Sequence, residues 1–168
     1  MLNQEKTIKK RNLVLAKLNK KIHSIQDEKE SAAYDAFQFK MDNLTILNRT
    51  AKITPTKIGQ FVVLWKRIPQ GVIAPFDDFD EIDLVVINCE TETNFGQFIF
   101  PKNILIEKGI FSTPLKEGKR AFRVYPIWET AINKQAISTQ KWQMNYFLNC
   151  TQNEEFDLKR AQLLYLQN

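Results

Sequence analysis

The sequence predicts an α+β protein: a single domain with a mostly antiparallel sheet, or partial barrel, of about six strands and helices at both chain ends. Three observations predict this class. The length of 168 residues suits one domain. Short apolar segments separated by Pro, Gly and polar residues fill a mixed β core at about residues 35–126. Helical spacing of apolar residues occupies both ends.

A basic helix is predicted over about residues 4–22. Ile8, Leu15, Leu18 and Ile22 recur at helical spacing and form an apolar stripe. The remaining surface of this helix is basic, with Lys9, Lys10, Lys17, Lys20 and Lys21.

The predicted strands differ in how many faces they bury. Residues 37–41 and 44–47 are expected to form a hairpin around a two-residue turn, Asp42-Asn43. Residues 84–89 are apolar on both faces, which is typical of a central strand. Further strands are predicted within residues 59–67, 96–100 and 119–125, where apolar and polar residues alternate or β-branched residues dominate.

Three further helices are predicted. Pro101 should open a short helix to about Lys108, with Gly109 at its end. Residues 133–149 and 154–167 are expected to be the C-terminal helices, the second capped by Asn153.

Charge is segregated along the chain, although the net charge is only +5. Residues 40–67 and 94–142 each carry a net +5, and residues 68–93 between them carry −7. Residues 59–67 combine a core-like apolar run with cations at its end, and we expect Phe61, Val63 and Trp65 to face away from Val62, Leu64 and Lys66. Segregated charge of this kind favours a positive face that attracts polyanions.

Several kinds of chemistry find no support in the sequence. His23, Cys89 and Cys150 are too few and too far apart for a Cys/His zinc site, a disulfide framework or a triad. Neither common glycine-rich phosphate-binding motif is present. We therefore predict no cofactor, no metal and no catalytic set, and the protein is expected to be non-catalytic.

The acidic loop at residues 76–83 is the best candidate for a metal site. A metal-dependent nuclease would combine an Asp such as Asp83 with a later Glu-x-Lys, which Glu117-Gly118-Lys119 matches. That tripeptide contains a turn glycine and is not on a predicted strand, so we expect that the loop is not a catalytic metal site.

No apolar run approaches the length of a transmembrane helix, and the basic N-terminus lacks the apolar stretch of a secretory signal. The sequence thus predicts a cytoplasmic protein without membrane insertion.

Cations, amides and aromatic rings recur together on the predicted strands, and nucleic-acid binding needs all three. Gln60, Gln97, Gln135, Gln140 and Gln143 offer amides that could read base edges. For stacking on bases, Tyr125 and Trp142 are preferred over Trp65. The candidate binding residues are Lys52, Lys57, Gln60, Lys66, Arg67, Lys102, Lys119, Arg120, Arg123, Tyr125, Lys134, Gln140, Lys141 and Trp142.

Four stretches resemble the MepB-like family of small bacterial proteins: RTAKITPTKIGQFVVLWKR, GQFIFPKNIL, GKRAFRVYPIWE and KQAISTQKWQMNYF. The resemblance covers about residues 30–149. The family takes its name from a member encoded beside a multidrug efflux pump, which implies a cytosolic accessory protein. The resemblance carries over no catalytic residues.

These observations favour a non-catalytic, cytoplasmic protein that binds DNA or RNA through a basic surface. The alternatives are a regulatory module that binds a ligand or an acidic protein partner, and a metal-dependent nuclease. A shared site would require Lys52, Lys57 or Lys66 to lie in one groove with Lys119, Arg120 or Arg123.

Overall fold

A six-stranded sheet runs through the centre of the protein, in a computed structural model that describes residues 2–166, with side chains from residue 9 onwards. The strands are β1 (Ile22–Asp27), β2 (Phe37–Met41), β3 (Leu44–Thr50), β4 (Lys52–Ile53), β5 (Gln60–Val63), β6 (Lys66–Arg67), β7 (Ile73–Ala74), β8 (Leu84–Glu90), β9 (Phe95–Pro101), β10 (Ala121–Val124) and β11 (Phe147–Asn149). The helices are α1 (Leu2–Lys17), α2 (Lys102–Glu107), α3 (Lys134–Gln143) and α4 (Leu158–Leu166), and 3₁₀ helices span Lys29–Tyr34 and Met144–Tyr146.

The strand order in this central sheet is β1-β2-β3-β8-β9-β11. Every neighbouring pair is antiparallel except β3 and β8, which run parallel. The predicted α+β class is therefore confirmed: the sheet is open, mainly antiparallel and six-stranded, and helices lie at both ends of the chain.

The central sheet is covered on both faces. Val86 and Ile99 on one face join a buried cluster with Leu15 of α1 and Leu164 of α4. The other face packs against a second, three-stranded sheet of order β10-β5-β4 and against α2. The two-sided apolar pattern of residues 84–89 follows from this layering, because β8 is buried on both sides.

A chain of hydrogen bonds crosses the central sheet within its core. The Tyr165 hydroxyl of α4 donates to Gln97 Oε1 at 2.7 Å, and Gln97 Nε2 donates to Asn88 Oδ1 at 2.8 Å. Asn88 Nδ2 then donates to Asn48 Oδ1 at 2.9 Å. All four side chains are buried, so each needs these partners, and the chain sets the position of α4 on the sheet.

The β2–β3 hairpin is confirmed in its register. Met41 pairs with Leu44, which leaves Asp42-Asn43 as the two-residue turn, and Asp42 takes a positive φ of 52°. Gly109 follows α2 with φ of 64°, as expected for a glycine just beyond a helix end.

The predicted N-terminal helix was too long. It ends at Lys17, the chain turns at Asn19 with φ of 53°, and Ile22 begins the edge strand β1. The residues of β1 after Ile22 are all exposed, so its sequence carries no apolar alternation that would have revealed a strand.

The prediction of one helix over residues 133–149 was wrong in its second half. Helix α3 ends at Gln143, and Phe147–Asn149 form the edge strand β11 beside β9. Phe147 and Leu148 are buried there, so packing against the sheet overrides a helical pattern.

The last helix begins later than predicted. Asn153 adopts φ of 73° and does not cap it. Instead, Asp157 Oδ1 accepts a hydrogen bond from Arg160 N at 2.9 Å, and α4 starts at Leu158.

Candidate nucleic-acid interface

Two of the predicted cations meet on the outward side of the three-stranded sheet. Phe61 of β5 lies opposite Lys52 of β4 on one side and opposite Arg123 of β10 on the other. Directly paired residues of antiparallel strands point to the same face. Val62 and Leu64 are buried while Phe61, Val63 and Trp65 are half-buried, as the predicted alternation requires. The three paired residues therefore share the face turned away from the core.

A tyrosine from the first 3₁₀ helix completes this group. Tyr34 meets Phe61 edge-on, with 6.4 Å between ring centroids. Lys52 Nζ lies over the Tyr34 ring at 4.5 Å from its centroid, and the Arg123 guanidinium lies over Phe61 at 5.9 Å. We call Tyr34, Lys52, Phe61 and Arg123 the cation–aromatic row.

Neither cation of the cation–aromatic row forms a salt bridge with a described acidic group. Arg123 donates to the Gly59 carbonyl at 3.0 Å and to Thr54 Oγ1 at 2.6 Å, both uncharged partners that fix the loop at residues 54–59. Lys52 is exposed, and neither cation forms a salt bridge with a carboxylate among residues 9–166. Lys57 is an exposed cation of the same loop.

Lys66 of β6 binds carboxylates of the acidic loop. Its Nζ lies 2.7 Å from Asp77 Oδ2 and 2.7 Å from Asp80 Oδ2. Burial alone would lower the pKa of Lys66, but hydrogen bonds to Asp77 and Asp80 raise it above its ordinary value. Burial would likewise raise the pKa of Asp77, and its hydrogen bond with Lys66 lowers it instead. Lys66 therefore balances its own chain's carboxylates.

Two further predicted cations are also engaged within the protein. Lys102 Nζ donates to the Asp78 carbonyl at 2.7 Å and to that of Asp80. Arg67 Nε donates to Glu30 Oε1 at 2.8 Å, and the guanidinium lies 5.8 Å from the centre of Trp65. Contacts to phosphate from these two side chains would compete with existing bonds.

Hydrogen bonds to the carboxylates of the acidic loop fix its conformation. Asp77 Oδ1 accepts from Phe79 N at 2.9 Å and from Asp80 N at 3.1 Å. Asp83 Oδ2 accepts from Thr45 N at 2.7 Å. Glu117 pairs with Arg120 at 2.9 Å. Among the side chains that the structure describes, no group of three or more His, Cys, Asp or Glu could hold a metal ion.

Most of the predicted base-reading amides serve the fold. Gln60, Gln97 and Gln143 are fully buried. Gln143 Oε1 accepts from Tyr125 N at 2.9 Å, and its Nε2 donates to the Arg123 carbonyl at 2.9 Å. The interpretation of Gln60 as a surface amide is thus corrected: its Nε2 donates to the Glu90 carbonyl at 3.2 Å.

Gln140 likewise has a structural role. Its Nε2 donates to the carbonyls of Tyr125, Pro126 and Glu129, the last at 2.8 Å. These bonds tie α3 to the segment that follows β10.

The two aromatic residues preferred for stacking are both occupied. The Trp142 ring packs between Phe100 at 5.4 Å and Tyr146 at 6.4 Å, with the Lys108 ammonium at 5.8 Å. The Tyr125 ring lies against Gly59, where a Cβ would stand 2.7 Å from Tyr125 Cε1. Tyr34 was not among the predicted stacking residues, because no cation neighbours it in sequence.

The remaining predicted cations lie outside the cation–aromatic row. Lys119 and Arg120 directly precede β10, and Arg120 is paired with Glu117. Lys134 and Lys141 are exposed on α3. The row therefore joins one cation from each basic block, Lys52 and Arg123.

A cleft of about 300 Å³ lies beside this face. Trp65, Lys66 and Arg67 form one side, and the other side carries Asp27, Glu28 and Glu30 together with Lys29. Glu28 Oε2 also holds the fully buried Arg49 at 2.5 Å. The sequence analysis did not anticipate this second side, because its residues precede the predicted β core.

Comparison with known proteins places this α+β protein in a family. The profile of the MepB-like family matches residues 28–149. The chain belongs to the MepB-like family, as the sequence motifs indicated. It is similar to the crystal structure of MepB, with 40% sequence identity and a TM-score of 0.76 over 80% of this chain and 89% of that one. No curated protein matches the sequence.

In the part of the chain that the structure describes, no helix is both long and apolar enough to span a bilayer.

Proposed function

We propose that the protein binds nucleic acid in the cytoplasm through the outward side of the three-stranded sheet, without catalysing a reaction. One observation carries the proposal: Lys52 and Arg123 flank Phe61 on one face, and neither forms a salt bridge with a described carboxylate. Cations that are already unpaired can meet phosphates without breaking an ion pair.

The other predicted cations differ in this respect. Lys66, Arg67 and Arg120 each have an acidic partner, so a phosphate would have to displace it. We therefore narrow the proposed phosphate contacts to Lys52, Lys57 and Arg123, and Lys119, which precedes β10, is not one of them. Lys134 and Lys141 on α3 contribute only to the long-range positive field.

Salt titration of binding tests the proposal. Three phosphate contacts predict a log–log slope of affinity against salt of roughly −2 to −3, because each contact releases about 0.7–0.9 of a counterion. Lys52→Gln should make the slope shallower by about one and weaken all base sequences alike. The measurement is fluorescence anisotropy with labelled oligonucleotides at several salt concentrations.

Lys159→Gln is a matched control. Lys159 is exposed and belongs to α4, which packs on the other face of the central sheet. Its replacement removes the same charge and should leave the slope unchanged. Absence of binding to any oligonucleotide at about 50 mM salt would overturn the proposal, as would equal effects of the two variants.

A further inference from the structure

We infer that the ligand is a single-stranded nucleic acid whose base stacks on Tyr34 while Lys52 moves from that ring to a phosphate. The inference rests on the proposed function and makes its ligand class specific. It depends on the two rings and two cations of the cation–aromatic row. Neither ring belongs to a residue that the sequence predicted to stack on bases.

The Tyr34 ring is covered by a group that can leave it. Lys52 Nζ stands 4.5 Å from the ring centroid and forms no salt bridge with a described carboxylate. The attraction of an exposed ammonium to a ring is weak compared with that of a desolvated one. A base gives the ring a larger stacking partner, and the released ammonium gains a phosphate.

Phe61 and Arg123 hold the tyrosine in place for this exchange. The edge-on contact with Phe61 at 6.4 Å supports one side of Tyr34. Arg123 covers Phe61 and is itself anchored by Gly59 and Thr54, so it is less mobile than Lys52. The arrangement therefore has one fixed cation and one mobile cation.

The shape of this face favours single strands over duplexes. Tyr34 and Phe61 are half-buried in the surface, and among the described residues the row includes no projecting helix or hairpin that could enter a major groove. In a duplex the base faces are already stacked on one another, and exposing one costs a few kcal/mol. An unpaired base offers its face without that cost.

Charge limits the path that the backbone of the bound nucleic acid can take across this face. The cleft beside Trp65 is lined by Lys29, Lys66 and Arg67 as well as by Asp27, Glu28 and Glu30, so its charges balance and it offers phosphates no net attraction. The opposite end of β5 leads to the loop that carries Lys57. The backbone therefore follows Lys52, Lys57 and Arg123 and does not enter the cleft.

The test compares Tyr34→Leu and Tyr34→Phe with the unchanged protein. Anisotropy is measured with an oligothymidylate of about 15 nucleotides, an oligouridylate of the same length and a duplex. Tyr34→Leu should weaken single-strand binding by roughly 5- to 150-fold without changing the salt slope, whereas Tyr34→Phe should retain affinity. The tighter of the two single strands identifies the ligand as DNA or RNA.

Phe79→Leu is the control, because Phe79 is an aromatic residue that is 79% exposed on the acidic loop. It should bind as the unchanged protein does. Thermal unfolding of each variant shows whether it is folded. If Tyr34→Leu does not fold, the comparison of single strands with the duplex still tests the inference on the unchanged protein and on Tyr34→Phe, which keeps the ring.

The outcomes separate the inference from the proposed function. If Tyr34→Leu binds single strands normally while Lys52→Gln still changes the salt slope, the stacking inference is overturned and the proposed function stands. Equal or tighter binding of the duplex overturns the inference in the same way. If no oligonucleotide binds, both are overturned.

Discussion

Lys66 shows how a cation can be prominent in a sequence and still be unavailable to a ligand. It lies between Asp77 and Asp80 at 2.7 Å from each, and its side chain is only 25% exposed. One lysine offsets part of the repulsion between two carboxylates in a tight turn. Its main effect should therefore be on stability and not on binding.

We predict that Lys66→Met lowers the free energy of unfolding by about 1–2 kcal/mol at pH 7, because two charge-assisted hydrogen bonds are lost at a partly buried site. The pKa of Asp77 is lowered in the folded state, so its contribution exists above the ordinary Asp pKa and is lost as the pH falls through the folded value. The pKa of Lys66 is raised, so its contribution is complete below the ordinary Lys pKa and disappears only as the pH rises through the folded value.

Urea denaturation across pH checks this prediction. The difference between Lys66→Met and the unchanged protein should be constant between about pH 5 and pH 10 and shrink in acid. Lys141→Met, which removes an exposed lysine of α3 without an ion pair among the described residues, should have little effect. A difference as large at pH 3 as at pH 7 would show that the ion pairs are not its cause.

Individual residues explain why the candidate site was only partly predictable. Lys52 and Arg123 were identified from their charge. They lie close together because β4 and β10 flank β5, and this strand order cannot be predicted from the sequence around either residue. Gln60 was misassigned, and the contacts of Trp142 were not foreseen, because a polar or aromatic residue has the same local sequence pattern whether its side chain is buried or exposed. Only tertiary packing separates the two cases.

Strand β9 meets the edge strand β11 at a glycine. Gly96 pairs with Asn149, and a Cβ at Gly96 would lie 2.3 Å from Phe147 Cζ and 2.7 Å from Cε2. Phe147 is only 4% exposed and packs on Phe98 at 4.8 Å, so its ring has little room to move. The glycine thus lets an aromatic ring of one strand cross over its neighbour.

Gly96→Ala should destabilise the protein by about 1–3 kcal/mol through overpacking. Combining it with Phe147→Leu should cost less than the sum of the two single changes, because the smaller side chain removes the clash. Chemical denaturation of the four members of this double-mutant cycle measures the coupling.

Gly71→Ala is the control for Gly96→Ala, because it adds a methyl group to a glycine where no clash is expected. Nothing lies within 4 Å of a Cβ at Gly71, but its φ of 87° disfavours alanine, so the expected cost is about 1 kcal/mol. Strict additivity in the Gly96–Phe147 cycle would contradict the packing explanation.

Elements were predictable where local and tertiary preferences agree. The β2–β3 hairpin and the buried strand β8 follow directly from alternation and from a continuous apolar run. Strands β1 and β11 were missed for opposite reasons. Strand β1 is an exposed edge without an apolar face, and β11 follows a helix so closely that its apolar residues read as further helical turns.

The whole molecule is layered around one shared sheet. Helices α1 and α4 cover one face, and the three-stranded sheet with α2 covers the other. Each layer has its apolar contacts through β3, β8 and β9 of the same sheet. The fold class was predictable from length and pattern, whereas the order of layers depends on long-range pairing.

We expect both sides of the central sheet to unfold together, because loss of the sheet removes the partner of each covering layer. Trp128 and Trp142 pack on the side of the three-stranded sheet, so tryptophan fluorescence reports on that side. Far-ultraviolet circular dichroism includes α1 and α4 on the other side. The two signals should show the same midpoint in urea, and clearly separate midpoints would instead reveal two independently stable layers.

The parallel pairing of β3 with β8 affects the order in which the parts of the chain fold. Residues 46 and 84 pair directly, so the intervening segment, which includes β4, β5 and the acidic loop, must close as one long crossover. Such non-local closure is slow compared with hairpin formation. Lys52 and Phe61 lie within that crossover, and Arg123 reaches them from β10, beyond it. A partly folded chain would therefore hold its β2–β3 hairpin before it possessed the face proposed for binding, and recovery of binding during refolding would time the completion of the fold.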